Sequence, residues 1–183
     1  MASFENAIVN TFKAEGGFQN DPNDNANYIN GILIGTNRGI SAQAYYHAFR
    51  HIPTVEQMKN LRVEDAKKIF KLNYWDKIGG DIIVNQSVAE LMFQFVIGSG
   101  TGQISDLKDI ANIVNGVDVL IENDYPFIKK ELDFINSLPQ QKYFNALWKW
   151  RLNFYDIVVK RNPAKQKFLQ GWKNRLNTHK FIP

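Results

Sequence analysis

Apolar side chains at Phe4, Ala7, Ile8 and Phe12, with Thr11 beside them, trace one face of an amphipathic helix. Ser3 suits its N-cap and Glu5 its first turn. Gly16 and Gly17 stop it, because glycine accepts the left-handed geometry that follows a helix C-terminus. That leaves Glu15 in the last turn. The run Gln19-Asn20-Asp21-Pro22-Asn23-Asp24-Asn25 reads as turns, with Asp and Asn side chains folding back around Pro22. Two apolar runs, Tyr28-Ile29 and Ile32-Leu33-Ile34, flank Asn30-Gly31, the strongest short-range signal for a β-hairpin. A glycine-flanked Thr36 follows.

Beyond residue 40 the periodicity is helical almost throughout. Ser41 caps a helix reaching about Arg50, and Thr54-Val55-Glu56-Gln57 has the form of a capping box. Ala66, Ile69, Phe70, Asn73 and Tyr74 predict a helix over 63–75. Residues 87–97 predict a strongly apolar, central helix broken by Gly98-Ser99-Gly100. Ile104, Leu107, Ile110, Ala111 and Val114 form another stripe, ended by Asn115-Gly116. Further helices are predicted near 123–137, 139–161 and 163–178, with Pro139 and Pro163 suited to first turns. The fold class expected is mainly α with one small β-hairpin. A seam near 116–123 would divide residues 1–116 from a C-terminal helical region, 117–183, packed on it as one compact unit.

Composition narrows the function classes. The chain has 183 residues, 44% hydrophobic and 22% charged, which suits an ordinary globular protein with a core of its own. A net charge of +4 favours anionic partners, but no long Lys/Arg run or nucleic-acid motif accompanies it. The absence of cysteine removes disulfides, thiol nucleophiles and thiolate metal sites. The N-terminus shows no signal-peptide pattern, and no segment predicts a membrane span. His47 and His51 stand four apart on one predicted helix, but no H-E-x-x-H pattern or third ligand accompanies them, so no metal is expected.

The position of Glu15 carries the chemistry. The C-terminal end of a helix dipole disfavours an anion, which raises a carboxyl pKa, and a raised pKa is what a general acid needs near neutral pH. The loop after it supplies further carboxylates, Asp21 and Asp24. An acid and a second carboxylate flanking one bond are the requirement for glycoside hydrolysis.

The motifs resemble those of glycoside hydrolase family 108, whose members are N-acetylmuramidases. Glu15-Gly16-Gly17-Phe18, Asn20-Asp21-Pro22 with Asp24, and Thr36-x-x-Gly39-Ile40-Ser41 resemble its N-terminal signature. Ala66-x-x-Ile69-Phe70-x-x-x-Tyr74-Trp75-Asp76 and Phe93-Gln94-Phe95-x-x-Gly98-x-Gly100 resemble two later stretches. Phe168-Leu169-Gln170-Gly171-Trp172-x-Asn174-Arg175 is similar to the end of the peptidoglycan-binding region associated with the family. The resemblance implies a lysozyme-like helical fold with the hairpin near the active site. It implies Glu15 as the catalytic acid, with Asp24 and Thr36 as its partners. It places Asn20, Asp21, Tyr74, Trp75 and Gln94 at the substrate, with Trp75 as a stacking face.

The chain also departs from that pattern. An insertion holding the Asn30-Gly31 hairpin separates Asp24 from Thr36, and Gln94 and Gly98 stand where the family usually carries Asp and Asn. The implied activity is hydrolysis of the β-1,4 bond between N-acetylmuramic acid and N-acetylglucosamine in peptidoglycan glycan strands, by a monomer without cofactor. Without a visible signal peptide, such an enzyme would be made in the cytoplasm of a bacterium or from a prophage. It would reach the wall after export or lysis. Two other classes stand beside it: a peptidoglycan-binding module without turnover, suggested by the departures, and a nucleic-acid-associated helical protein, resting only on charge and on Arg/Lys with aromatics near the C-terminus.

Overall fold

The computed structural model describes residues 1–14, 16–116 and 126–183. Its contacts divide the chain into two compact units, one of Phe4–Asp76 and one of Met1–Ser3 with Lys77–Pro183. Helices dominate both, and the strands form two small antiparallel pairs, as the mainly α class requires.

The first unit opens with α1 (Phe4–Ala14), whose Phe4, Ala7, Ile8 and Thr11 are buried as the periodicity predicts. The hairpin forms as expected from β1 (Tyr28–Ile29) and β2 (Ile32–Leu33), with Tyr28 opposite Leu33. Asn30 and Gly31 take φ of 50° and 77°, the left-handed pair that a two-residue hairpin turn needs. A second hairpin of the same build follows: β3 (Thr36–Asn37) and β4 (Ile40–Ser41) are joined by Arg38 and Gly39, also at positive φ. Arginine rarely adopts that geometry, so the sequence carries no turn signal there. The Asn37 Nδ2 donates to the Met58 carbonyl at 2.7 Å and pins this hairpin to the next helices.

Ser41 caps α2 (Ala42–Phe49) by accepting from Ala44 N–H, and Arg50 ends it in the left-handed region. His51 therefore lies beyond the helix, and His47 and His51 do not share one helical face. The predicted capping box at Thr54 and Gln57 starts α3 (Val55–Lys59). Next, α4 (Val63–Phe70) runs into a π-helical turn over Lys71–Trp75. A π turn holds one residue more than an α turn, so the face carrying Phe70 continues five residues on, at Trp75.

In the second unit α5 (Gln86–Ser99) is central, with Val88, Leu91, Met92, Phe93, Phe95 and Val96 fully buried. Gly98 belongs to this helix rather than breaking it, and Gly100 is where it ends. Then come α6 (Ile104–Asn115), closed by Gly116 at φ 75° as predicted, α7 (Lys129–Ser137), α8 (Gln140–Arg161) and α9 (Gln166–Thr178). Helices on both sides of residue 116 share this unit, and the seam expected near 116–123 falls mainly outside the described residues. The buried Tyr143 hydroxyl donates to the Leu107 carbonyl at 2.9 Å, and Lys108 pairs with Glu131 at 2.6 Å, both nearly inaccessible to water. Among the described residues no helix is long and apolar enough to cross a membrane.

Candidate active site

Glu15 lies outside the described residues, between α1 and the loop that begins at Gly16. What the structure describes is the loop on which its expected partners sit, and Gln19 is the joint of that loop. The backbone of Gln19 makes two reciprocal hydrogen bonds with Thr36, both 2.8 Å, so the post-helix strand lies against β3. Its side chain turns the other way. The Gln19 Oε1 accepts from Asp21 N–H at 2.9 Å and from Asn27 Nδ2 at 2.7 Å. The Gln19 Nε2 donates to Asp24 Oδ2 and to Asn27 Oδ1, each at 3.1 Å.

Asn27 completes the arrangement. It is fully buried, and its Nδ2 also donates to the Asp21 carbonyl at 2.9 Å. Its own carbonyl accepts from Ile34 and Gly35 N–H, which fastens the first hairpin to the acid-bearing loop. Gly35 permits the approach: its φ is 107°, and a Cβ there would stand 2.8 Å from the Gln19 carbonyl oxygen. The Tyr28 hydroxyl adds a bond to the Pro22 carbonyl at 3.1 Å.

Both aspartates are engaged by this loop. Asp21 is exposed, and its Oδ1 accepts from the backbone and side-chain N–H groups of Asn23 at 2.9 and 3.0 Å, as its place before Pro22 predicts. Asp24 is held at both oxygens. Its Oδ1 accepts from Ala26 N–H at 3.0 Å, capping the short turn at 25–27, while Gln19 holds its Oδ2. The consequence is a half-buried carboxylate fixed in orientation.

Thr36 is half-buried in β3, and its Oγ1 is shielded from water without a hydrogen-bond partner among the described residues. Asn20 is exposed on the same loop. Thus Asn20, Asp21, Asp24 and Thr36 are assembled in the first unit, around a Gln19–Asn27 pair that the turn-rich sequence hides.

The other expected site residues divide. Tyr74 is half-buried, its ring 6.0 Å from Phe70. Trp75 offers no stacking face, contrary to expectation. It is fully buried, edge-on to Phe4 at 5.7 Å, because the π turn rotates it into the core. Gln94 belongs to α5 of the second unit, where with Gly98 it lines a pocket of about 400 Å³ also walled by α8 and α9.

The model of a family described as Glycosyl hydrolase 108 matches residues 8–100, the span from α1 to the end of α5. A solved structure described as that of Brucella abortus SagA is similar over 96% of this chain and 90% of that one, with a TM-score of 0.72 and 25% identity. A comparison with curated proteins finds no match. The likeness in fold extends well past the segment that the family model covers.

Proposed function

Because the chain belongs to glycosyl hydrolase family 108, we propose that it hydrolyses peptidoglycan glycan strands at the β-1,4 bond between N-acetylmuramic acid and N-acetylglucosamine. The observation that carries this reading is that the matched span contains Glu15-Gly16-Gly17, the Asp21–Asp24 loop and Thr36 in one segment. Glu15 is the proposed general acid, giving its proton to the departing glycosidic oxygen. Asp24 is the proposed second carboxylate, stabilising the oxocarbenium-like transition state or activating the attacking water. Thr36 is the proposed helper of Asp24, its Oγ1 shielded from water and without a hydrogen-bond partner among the described residues.

The Gln19 joint supports this division of labour. It connects the strand that follows Glu15, the backbone of Thr36 and the carboxylate of Asp24 through direct hydrogen bonds. Catalytic groups need such support, because rate falls steeply when a positioned group drifts by about 1 Å. Asn20, Asp21 and Tyr74 are proposed to contact the glycan, and the C-terminal helices to help bind the wall. Trp75 is not.

Digestion of purified peptidoglycan, followed by borohydride reduction and mass spectrometry, tests the reading. Release of fragments with reduced N-acetylmuramic acid ends is the expected result. Reduced N-acetylglucosamine ends would reassign the bond. Sedimentation with the wall and no soluble product would leave a binding module in place of an enzyme.

A further inference from the structure

A second site lies among α5, α8 and α9, in the pocket of about 400 Å³. Its wall carries Arg151, only 5% exposed. The Arg151 Nη1 donates to Ser99 Oγ at 2.6 Å and its Nε to the Tyr155 hydroxyl at 3.2 Å, both neutral partners. Its guanidinium carbon lies 5.1, 5.2 and 5.0 Å from the ring centres of Phe95, Phe154 and Tyr155. Among the described residues no carboxylate pairs with it. A buried charge is costly unless compensated, and aromatic faces and two neutral hydroxyls compensate a guanidinium only in part.

The rest of the wall has the same sign. Its other charged residues are Lys165 and Arg175, and no Asp or Glu lines it. Gly98 makes room for the buried cation: a Cβ there would stand 2.4 Å from Arg151 Nη2. A helix interior ordinarily disfavours glycine, so its presence under the guanidinium fits a position selected for space. Trp172 and Tyr155, with rings 5.5 Å apart and tilted by 36°, supply an aromatic flank.

We propose that this pocket binds a small carboxylate-bearing organic ligand with a short apolar body. The planar guanidinium fork matches a carboxylate in two-point contact. The volume suits a small molecule, and an apolar, aromatic wall with one deeply buried cation suits a monoanion better than a phosphate dianion. Such chemistry is presented both by the free C-terminus of a short peptide and by a simple organic acid. The proposal does not depend on which glycosidic bond is cut.

Titration calorimetry on the full chain, with no cell wall present, tests it. The probes are acetyl-D-alanyl-D-alanine for the peptide source, phenylacetate for the simple acid, the neutral amide of each, and inorganic phosphate. At least one carboxylate is expected to bind about tenfold or more tightly than its amide, and more tightly than phosphate. Whichever acid binds identifies the source. Arg151→Gln is expected to abolish binding. Arg175→Gln and Lys165→Gln change exposed residues and are expected to weaken it severalfold even if the Arg151 variant misfolds. Equal binding of acid and amide, tighter binding of phosphate, no binding of any probe, or binding indifferent to all three substitutions would overturn the proposal.

Discussion

Gln19 and Asn27 grip each other through both ends of their amides, Asn27 Nδ2 to Gln19 Oε1 at 2.7 Å and Gln19 Nε2 to Asn27 Oδ1 at 3.1 Å. The pair sits beneath a loop whose two aspartates it also holds. Asn27 is fully buried while Gln19 is exposed, so removing Asn27 forfeits hydrogen bonds made away from water, at about 1–3 kcal/mol in all. Asn27→Ala is therefore expected to lower unfolding stability by roughly that amount in urea titration. Gln19→Ala frees one oxygen of the proposed catalytic Asp24, so turnover should fall about tenfold with substrate affinity nearly kept. Full activity in the Gln19 variant would show that Asp24 needs no such support.

The proposed acid gives the sharpest test. Glu15→Gln keeps the shape of the side chain and removes the transferable proton. Release of peptidoglycan fragments should drop by about two orders of magnitude or more. The melting temperature should stay close to wild type. A Gln variant that clears walls at an undiminished rate would take the acid role from Glu15.

Asp24 and Asp21 can be separated by choosing substitutions that respect their caps. Asparagine caps a helical turn about as well as aspartate, so Asp24→Asn should keep the bond to Ala26 N–H and nearly all stability while losing charge and turnover. Asp24→Ala should lose the cap as well, about 1 kcal/mol. Asp21→Asn should retain most activity. Activity lost in Asp21→Asn and kept in Asp24→Asn, read by fragment release, would exchange their roles.

What the sequence discloses depends on how local each cause is. The caps at Ser41 and Thr54, the Asn30-Gly31 turn and the stop at Gly116 are short-range effects, and each appears where the pattern places it. Trp75 turns into the core instead of the expected stacking position because one π turn shifts the helical register, which no α-periodic pattern contains. Gln19 and Asn27 look like ordinary turn formers, since an amide pair has no hydrophobic signature even where, as at Asn27, one member is buried. The same pair ties the insertion into the unit. By itself a two-stranded hairpin is marginal in water, so its loss alone would cost little stability. Asn27 and Ile34 are buried, so shortening 25–35 should nonetheless destabilise the unit. Gly98 reads as a helix breaker because the side chain that needs its space, Arg151, lies far along the chain.

The ion pair between Lys108 and Glu131 is almost wholly removed from water, at 2.6 Å, with the second Glu131 oxygen accepting from Ile128 N–H at 3.0 Å. Breaking such a pair leaves one buried charge without its partner. Lys108→Met alone is expected to cost about 3–5 kcal/mol, and Lys108→Met with Glu131→Leu to recover a large part of it. Denaturant titration of the three proteins measures this. A double variant as unstable as the single one would place the cost in packing rather than in charge.

His179 sets a pH dependence whose sign can be worked out. Burial, and then the nearby charge of Arg175, hold its pKa below the ordinary 6.5. As pH falls through about 6.5, the unfolded chain takes up a proton that the folded chain still refuses. Protonation then favours the unfolded state, so stability declines on acidification until the lowered folded-state pKa is passed, and levels off below it. His179→Gln removes this contribution and leaves the acidic groups shared by both proteins. The melting temperature of wild type minus that of the variant, followed from about pH 8 to about pH 5 at fixed ionic strength, should therefore decrease. A difference that stays constant, or grows as the solution is acidified, would mean that His179 is not held neutral by its burial beside Arg175.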